Sequence, residues 1–146
     1  MRYSVNYRVL AGQVDETKHL SNVQYYEFYK SAAFSFLKKY EFAELNKPND
    51  LWPIIFGETA EFYKEVFFDD VIRVDIFHND FSDKKNKYSC NGVIYNSNGD
   101  KIAAFKTAAA LMNRETRKIE PMTDAALALL KQYSEDSLIE LPARKV

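Results

Sequence analysis

The residues best suited to chemistry lie between Asp15 and Asn22, in the run Asp15-Glu16-Thr17-Lys18-His19-Leu20-Ser21-Asn22. A carboxylate can serve as general base or nucleophile, and an imidazole can bind substrate or position the carboxylate. Both stand just ahead of a segment with helix-start chemistry. A helix N-terminus offers unsatisfied N–H donors and partial positive charge to an anion or a developing oxyanion. On the residues alone, Asp15 also reads as a loop carboxylate that only complements the helix dipole, and His19 as an imidazole tied to backbone.

The element that must position this run is a long helix. Ser21 and Gln24 have the S-x-x-Q spacing of a capping box, and Leu20 with Tyr25 has that of a hydrophobic staple. Tyr25, Tyr29, Ala32, Ala33, Phe36, Leu37 and Tyr40 then recur at steps of three and four, which predicts one continuous apolar stripe. The helix is expected to end near Glu41 to Leu45, before the turn chemistry of Asn46-Lys47-Pro48-Asn49-Asp50.

The rest of the chain alternates with period two. Residues 2–11 read as a half-buried strand with Tyr3, Val5, Tyr7 and Val9 on one face. A strand or broken strand is expected over 53–68, with Ile54, Phe56, Ala60, Phe62, Val66 and Phe68 alternating against acids such as Glu61 and Glu65. Asp69-Asp70 reads as a hairpin turn, leading to a strand over 71–78 that turns Ile72, Val74 and Ile76 to the core. Further strands are predicted over 87–96 and 100–113, joined at Asn98-Gly99, a strong hairpin signal. A short helix over 124–133, with Leu127, Leu130 and Ala126 or Leu129 inward, follows Pro121 and Thr123. Residues 134–146 read as a tail in which Leu138, Ile139 and Leu141 could dock. A meander of strands with one long apolar helix requires that helix to pack across one face of the sheet, so the fold class is α+β and the chain 1–146 reads as one domain.

Bulk properties narrow the function. Twenty basic against twenty-one acidic side chains give a net charge of -1, which supplies no global field for nucleic acid or an anionic membrane. Aromatic residues make up 15% of the chain, enough for a core or pocket built of rings. The single cysteine, Cys90, fits a reducing compartment, and in its strand-like run it reads as a small structural residue rather than a reactive thiol. With no secretory apolar core at the N-terminus, the expected location is cytoplasmic. His19 and His78 are the only histidines, and no carboxylate cluster around either has metal-ligand spacing, so no metal site is expected.

The order strand, long helix, four strands, small helix, with its motifs, resembles the hotdog-fold acyl-CoA thioesterases of the 4-hydroxybenzoyl-CoA thioesterase type. Asp15-x-x-Lys18-His19-Leu20-Ser21-Asn22-x-x-Tyr25 stands in the register of that family's motif ahead of its central helix. Glu58-x-x-x-x-Tyr63 with Phe68-Asp69-Asp70, then Asn98-Gly99-Asp100-Lys101-Ile102-Ala103 and Asn113-Arg114-Glu115-Thr116-Arg117-Lys118, resemble later family motifs, so the likeness covers residues 3–125. Two positions depart from the pattern: Lys18 stands where the family has glycine, and Lys30 where many members have an acidic residue. Lys18 is expected to restrain activity by pairing with Asp15 or crowding the substrate.

The resemblance implies a hotdog fold: an antiparallel sheet wrapped around one long central helix, with a short C-terminal helix. It implies an acyl-CoA or acyl-carrier-protein thioester as substrate, Asp15 as base or nucleophile, and the backbone N–H of Asn22 as the donor that polarises the carbonyl. Preorganised backbone donors suit the negative charge that thioester hydrolysis develops on oxygen. His19, Tyr25 and Glu58 are the candidate substrate-binding residues, with Tyr26 or Tyr29 as further pocket candidates. No cofactor is expected beyond coenzyme A as part of the substrate. A homodimer or homotetramer with sheets edge to edge is implied, which also removes an exposed strand edge.

Other readings remain open. Glu58 and Glu61 also read as the wet face of a strand, and Asp83-Lys84-Lys85-Asn86-Lys87 as a solvated hairpin rather than a coenzyme A phosphate contact. The rival functions are a non-catalytic binder of acyl chains or small hydrophobic ligands, on this or a cystatin-like fold, and a hotdog dehydratase using His19.

Overall fold

The computed structural model describes residues 1–16 and 20–134. Lys18, His19 and residues 135–146, with the expectations placed on them, lie outside the described residues. Strands β1 (Tyr3–Arg8), β2 (Leu51–Phe62), β3 (Val71–Asn79), β4 (Lys87–Tyr95) and β5 (Lys101–Asn113) form one antiparallel sheet in the order β1-β3-β4-β5-β2. Helix α1 (Asn22–Lys39) lies across one face, and the short α2 (Phe42–Leu45) and α3 (Asp124–Gln132) close its far end. This is the α+β arrangement expected, a sheet wrapped around one long helix. Among the described residues, no helix is long and apolar enough to cross a membrane.

Periodicity explains most of the seating. Tyr25, Tyr29, Ala32 and Phe36 are buried along α1, as the stripe predicts, and Phe28 joins them. From the sheet, Ile72, Val74 and Ile76 of β3 and Ile94 of β4 meet that stripe in one core. The Tyr29 ring stacks on Phe105, with centroids 4.8 Å apart and planes 5° from parallel. It also lies so close to Gly92 that a Cβ there would overlap the ring. In α3 the inward side chains include Ala126 and Leu130, and Thr123 caps it, its hydroxyl accepting the Ala126 N–H at 3.2 Å.

Three local expectations are corrected. Helix α1 stops at Lys39 rather than running on to Leu45, because Glu41 takes a left-handed conformation (φ 52°) that breaks the hydrogen-bond ladder and lets Phe42 turn into the core. Strand β2 ends at Phe62 rather than near residue 68, and a register shift between Ile55 and Gly57 leaves Ile55 and Phe56 exposed. Asp69-Asp70 does not join β2 to a neighbouring strand, since β2 pairs with β5 at the opposite side of the sheet from β1 and β3. The turn at Asp69 (φ 71°) instead extends the β1–β3 ladder, with Asp69 N–H on the Val9 carbonyl and Val9 N–H on the Asp70 carbonyl, both at 2.9 Å. At Asn98-Gly99 the hairpin forms as expected, with Gly99 at φ 81°.

His78 of β3 is buried between Phe36 and Tyr88, at ring distances of 4.6 and 6.0 Å. Burial pushes its imidazole down to about 3, so it stays neutral where the unfolded chain, with an ordinary imidazole near 6.5, takes up a proton. The unfolded state therefore binds more protons between those values, and stability falls as pH drops from about 6.5 toward 3, by up to about 1.4 kcal/mol per pH unit. Urea midpoints at pH 7 and pH 5 should drop more for the wild type than for His78→Gln; equal drops would refute the assignment. Gly92→Ala should cost about 1–3 kcal/mol in urea unfolding, the usual price of overpacking a filled core, and an unchanged midpoint would show that Tyr29 can move aside.

Candidate active site

The loop ahead of α1 is pinned at both ends. Val14 and Leu20 form an antiparallel bridge, and the Leu20 N–H donates to the Val66 carbonyl at 2.7 Å. Asp15, the next residue after Val14, is thereby held beside the helix start. Asp15, Ser21, Asn22 and Tyr25 line one side of a cleft of about 530 Å³, and Phe62, Tyr63, Lys64 and Glu65 contribute the other. Tyr25 packs edge-on against Phe62 at 5.4 Å and donates its hydroxyl to the Lys64 carbonyl at 3.1 Å, which ties helix to strand at the base of the cleft.

Ser21 is the N-cap residue, as expected, but the side-chain capping box is not made. The N–H groups of Gln24 and Tyr25 both turn to the Ser21 carbonyl, at 3.0 and 3.4 Å, so the usual donor to the Ser21 hydroxyl is already occupied. The N–H groups of Asn22 and Val23 meet no acceptor among the described residues. Two first-turn donors with the partial positive charge of the helix end therefore open on the cleft that Asp15 lines. Such a wall can hold an oxygen on which negative charge develops while a carboxylate acts on the adjoining carbon or on water.

Of the residues predicted from sequence, Asp15, Asn22 and Tyr25 share this cleft. Glu58 does not line it. The carboxylate of Glu58 instead faces α1 farther along, at the centre of a polar cluster that sequence reasoning did not assemble. Glu58, Thr107, Cys90 and His78 occupy successive strands of one sheet rung. Glu58 accepts the Tyr26 hydroxyl at 2.6 Å and the Thr107 hydroxyl at 2.9 Å, and pairs with the Lys30 ammonium at 3.0 Å. The Tyr29 hydroxyl lies 2.7 Å from the Thr107 hydroxyl and 2.9 Å from the Cys90 carbonyl, and donates its one proton to one of them at a time, the Thr107 proton being donated to Glu58.

The electrostatics follow from these contacts. Burial pushes the Glu58 carboxyl up, but hydrogen bonds from Tyr26, Lys30 and Thr107 with the Lys30 charge outweigh it, and the net displacement is below the usual carboxylate range. Burial, reinforced by the Glu58 hydrogen bond and charge, pushes the Tyr26 phenol up to about 12. Burial likewise pushes the Cys90 thiol up to about 11, which keeps it protonated and inert at neutral pH, as its strand context suggested. Lys30 and Thr107 escaped sequence reading because their meeting with Glu58 depends on the β2 register shift. Lys64 escaped it because it belongs to the connection after β2; its ammonium pairs with Asp100 at 3.1 Å. Among the described residues, no three histidine, cysteine or acidic side chains gather as a metal ligand set.

Residues 9–130 match the family described as the thioesterase-like superfamily. Comparison with curated protein sequences gives no match. Solved structures with the same fold include a 1,4-dihydroxy-2-naphthoyl-CoA thioesterase from Synechocystis, with 13% identity and a TM-score of 0.76 over 90% of this chain and 96% of that one. A Staphylococcus aureus protein in complex with CoA has 12% identity and a TM-score of 0.80, covering 100% of this chain and 94% of its own. The probable thioesterase YbaW from Escherichia coli has 13% identity and a TM-score of 0.75, over 91% and 99%. At these identities the likeness is one of fold.

The lowered Glu58 carboxyl has a consequence for acid stability. Its stabilisation is fully present above the unfolded carboxylate value, about 4.3, and is lost as pH falls through the lower folded value. Wild type should therefore exceed Glu58→Gln in urea midpoint at pH 7, and the gap should close as pH is taken below about 4. A gap that widens in acid would contradict the pairing.

Proposed function

Because the chain belongs to the thioesterase-like superfamily, we propose that it hydrolyses an acyl thioester carried on coenzyme A or an acyl carrier protein, in the manner of the 4-hydroxybenzoyl-CoA thioesterase type. The observation that carries this reading is the single cleft shared by the Asp15 carboxylate and the first-turn N–H of Asn22, which meets no acceptor among the described residues. The substrate carbonyl oxygen lies on that N–H. Asp15, as general base, takes a proton from water as the oxygen of that water attacks the thioester carbon. The oxyanion stays on the helix start, where fixed donors need no reorganisation. Collapse breaks the C–S bond, and the departing thiolate takes up a proton to leave a free thiol and a carboxylic acid. In the nucleophilic alternative Asp15 attacks the carbon itself, the C–S bond breaks as the thiolate leaves and takes up a proton, and water then cleaves the mixed anhydride to the carboxylic acid and free Asp15. Tyr25 walls the cleft beside the carbonyl, and His19 and Glu58 bear on substrate binding.

Coenzyme A enters as part of the substrate and no other cofactor is called for. The CoA complex of the S. aureus neighbour and the CoA thioester named for the Synechocystis enzyme support coenzyme A as carrier. A second copy fits the open edge of β2, whose exposed Ile55 and Phe56 would be covered by edge-to-edge pairing, giving a homodimer or a dimer of dimers. The setting is cytoplasmic.

Purified protein assayed for thiol release against acyl-CoAs of varied length and aromaticity should turn over at least one. Asp15→Asn should lower that rate about 10²–10⁴-fold, the range for loss of general base catalysis. No thiol release above the variant on any thioester, with ligands that still raise the melting temperature, would overturn hydrolysis in favour of acyl binding alone.

A further inference from the structure

We propose that the outer face of the sheet, the one turned away from α1, is the docking surface of this chain's own C-terminal segment, residues 135–146. Strand alternation puts Phe77 of β3, Val93 of β4 and Ala104 of β5 on that face, away from Ile76, Ile94 and Phe105 of the main core. They are 2%, 1% and 1% exposed, and Tyr95 packs beside them. Helices α1 and α3 lie on the other face, where Tyr29, Ala126 and Leu130 join the main core. Every described member of the outer cluster therefore belongs to a strand. A ring standing on a single layer keeps one side to water, so the burial of Phe77 calls for a second layer.

The chain is delivered to this face at the end of α3. Tyr133 turns inward, packing edge-on against Phe36 at 5.0 Å, while its carbonyl accepts the His78 N–H at 2.7 Å. Ser134, the next residue, donates its hydroxyl to the side-chain oxygen of Asn79. Asn79 shares the outer face with Phe77, so the chain rounds the margin of the sheet between Tyr133 and Ser134. Ala104 lies two strands and four residues from Asn79, about 16 Å across the face at about 4.8 Å per strand and 3.3 Å per residue. Ile139 follows Ser134 by five residues, about 17 Å of extended chain. Leu138, Ile139 and Leu141 thus come within reach of the stripe formed by Phe77, Val93 and Ala104.

Charge and hydrogen bonding select the same occupant. The segment begins acidic, with Glu135 and Asp136, and turns basic at Arg144 and Lys145. Arg2, one residue before the Tyr3–Ile76 pair, stands next to Phe77 where the segment enters, and Glu61 stands opposite Ala104 on the far side. The order of charge along the segment therefore matches the order across the sheet. Asn91 lies between these ends, 2% exposed, and its amide donates to the Ser89 hydroxyl at 2.9 Å. Its Oδ1 meets no donor among the described residues. A buried acceptor left unmet is destabilising, and a backbone N–H or the Ser137 hydroxyl of the segment supplies the donor. The stripe is also narrow. Bordered by Asp75, Asn79, Ser89 and Asn91, it falls short of the roughly 800 Å² per partner of a stable interface between two copies, and it suits one strap of chain.

The test uses the full chain with Cys90→Ala, so that an introduced thiol is read alone. Ala104→Cys should react with a maleimide about tenfold more slowly than Ala108→Cys, which is exposed on the same face, the protection expected of a cover that opens only locally. That ratio should hold at every protein concentration, and adding Ile139→Asp with Leu141→Asp should bring the two rates together. Where that variant loses the circular dichroism of the folded chain, a second measurement decides. Ala104→Cys paired in turn with Ser137→Cys, Leu138→Cys, Ile139→Cys, Glu140→Cys and Leu141→Cys should close a disulfide within one chain under mild oxidant in at least one pairing, faster than the same cysteine closes on Ala108→Cys. Equal labelling of Ala104→Cys and Ala108→Cys in the otherwise unaltered chain, protection that survives the two aspartates in a folded variant, or no such disulfide would overturn the proposal. Protection that grows with protein concentration, or disulfides that join two chains, would overturn it in favour of a second copy on this face. None of these outcomes depends on whether thioesters are cleaved.

Discussion

The contact on which the arrangement depends is the Tyr29 ring laid flat on Phe105 over the bare backbone of Gly92. Here the helix and sheet come so close that no side chain fits at Gly92. Its hydroxyl is satisfied at depth by Thr107 and the Cys90 carbonyl, so the ring cannot rotate away without leaving a buried polar group unpaired. This one residue fixes the height of α1 above the sheet and its rotation about its own axis. Once both are fixed, Tyr25, one turn earlier, meets Phe62, and Phe36, two turns later, meets His78. The start of α1, and with it the first-turn donors of Asn22 and Val23, is then held against the connection that follows β2.

Two different devices bring the site parts to that start. The stripe on α1 is local and hydrophobic and sets where the helix begins relative to the sheet. The Val14–Leu20 bridge and the Leu20–Val66 hydrogen bond are nonlocal and belong to backbone alone. Backbone pairing of this kind is indifferent to side-chain type, so Asp15 beside it, exposed to solvent, can carry chemistry without bearing on the core. The unmade side-chain cap has the same logic. A Ser21 hydroxyl closed on Gln24 would stabilise the helix end, whereas a Ser21 carbonyl that takes both following N–H groups leaves the cleft side of the first turn open.

This division explains what could be read in advance. Helix α1 and strands β3, β4 and β5 were legible because their seating is periodic: Tyr25, Tyr29, Ala32 and Phe36 repeat at helical steps, and Ile72, Val74 and Ile76 at strand steps. The course of β2 beyond Phe62 was not legible. Val66 and Phe68 continue the alternation in sequence, while the chain has already left the strand to cross toward β3, and crossing is a property of the whole sheet. Phe28, three residues after Tyr25 and four before Ala32, satisfies the same steps and was left out of the stripe although its spacing allowed it. The gathering of Asp15 with Asn22 was legible from helix-start chemistry and from the resemblance. The gathering of Glu58 with Thr107 and Lys30 was not, because it requires knowing that β2 slips register between Ile55 and Gly57.

That slip also changes the meaning of Glu58. Read on the strand alone, it is one acid among several on a wet face. Placed opposite Thr107, it becomes the polar end of a rung that runs under α1 through Cys90 to His78. A partly exposed ion pair contributes little to stability, about 0–1 kcal/mol, and an apolar pair of similar size would pack there at no greater cost. Helix α1 is already seated by Tyr29, Phe28, Ala32 and Phe36, and needs no charge at Lys30 to stay in place. The pair therefore adds little to the seating of α1. Its Lys30 borders a recess between α1 and the sheet that Tyr29, His78, Cys90 and Thr107 also line.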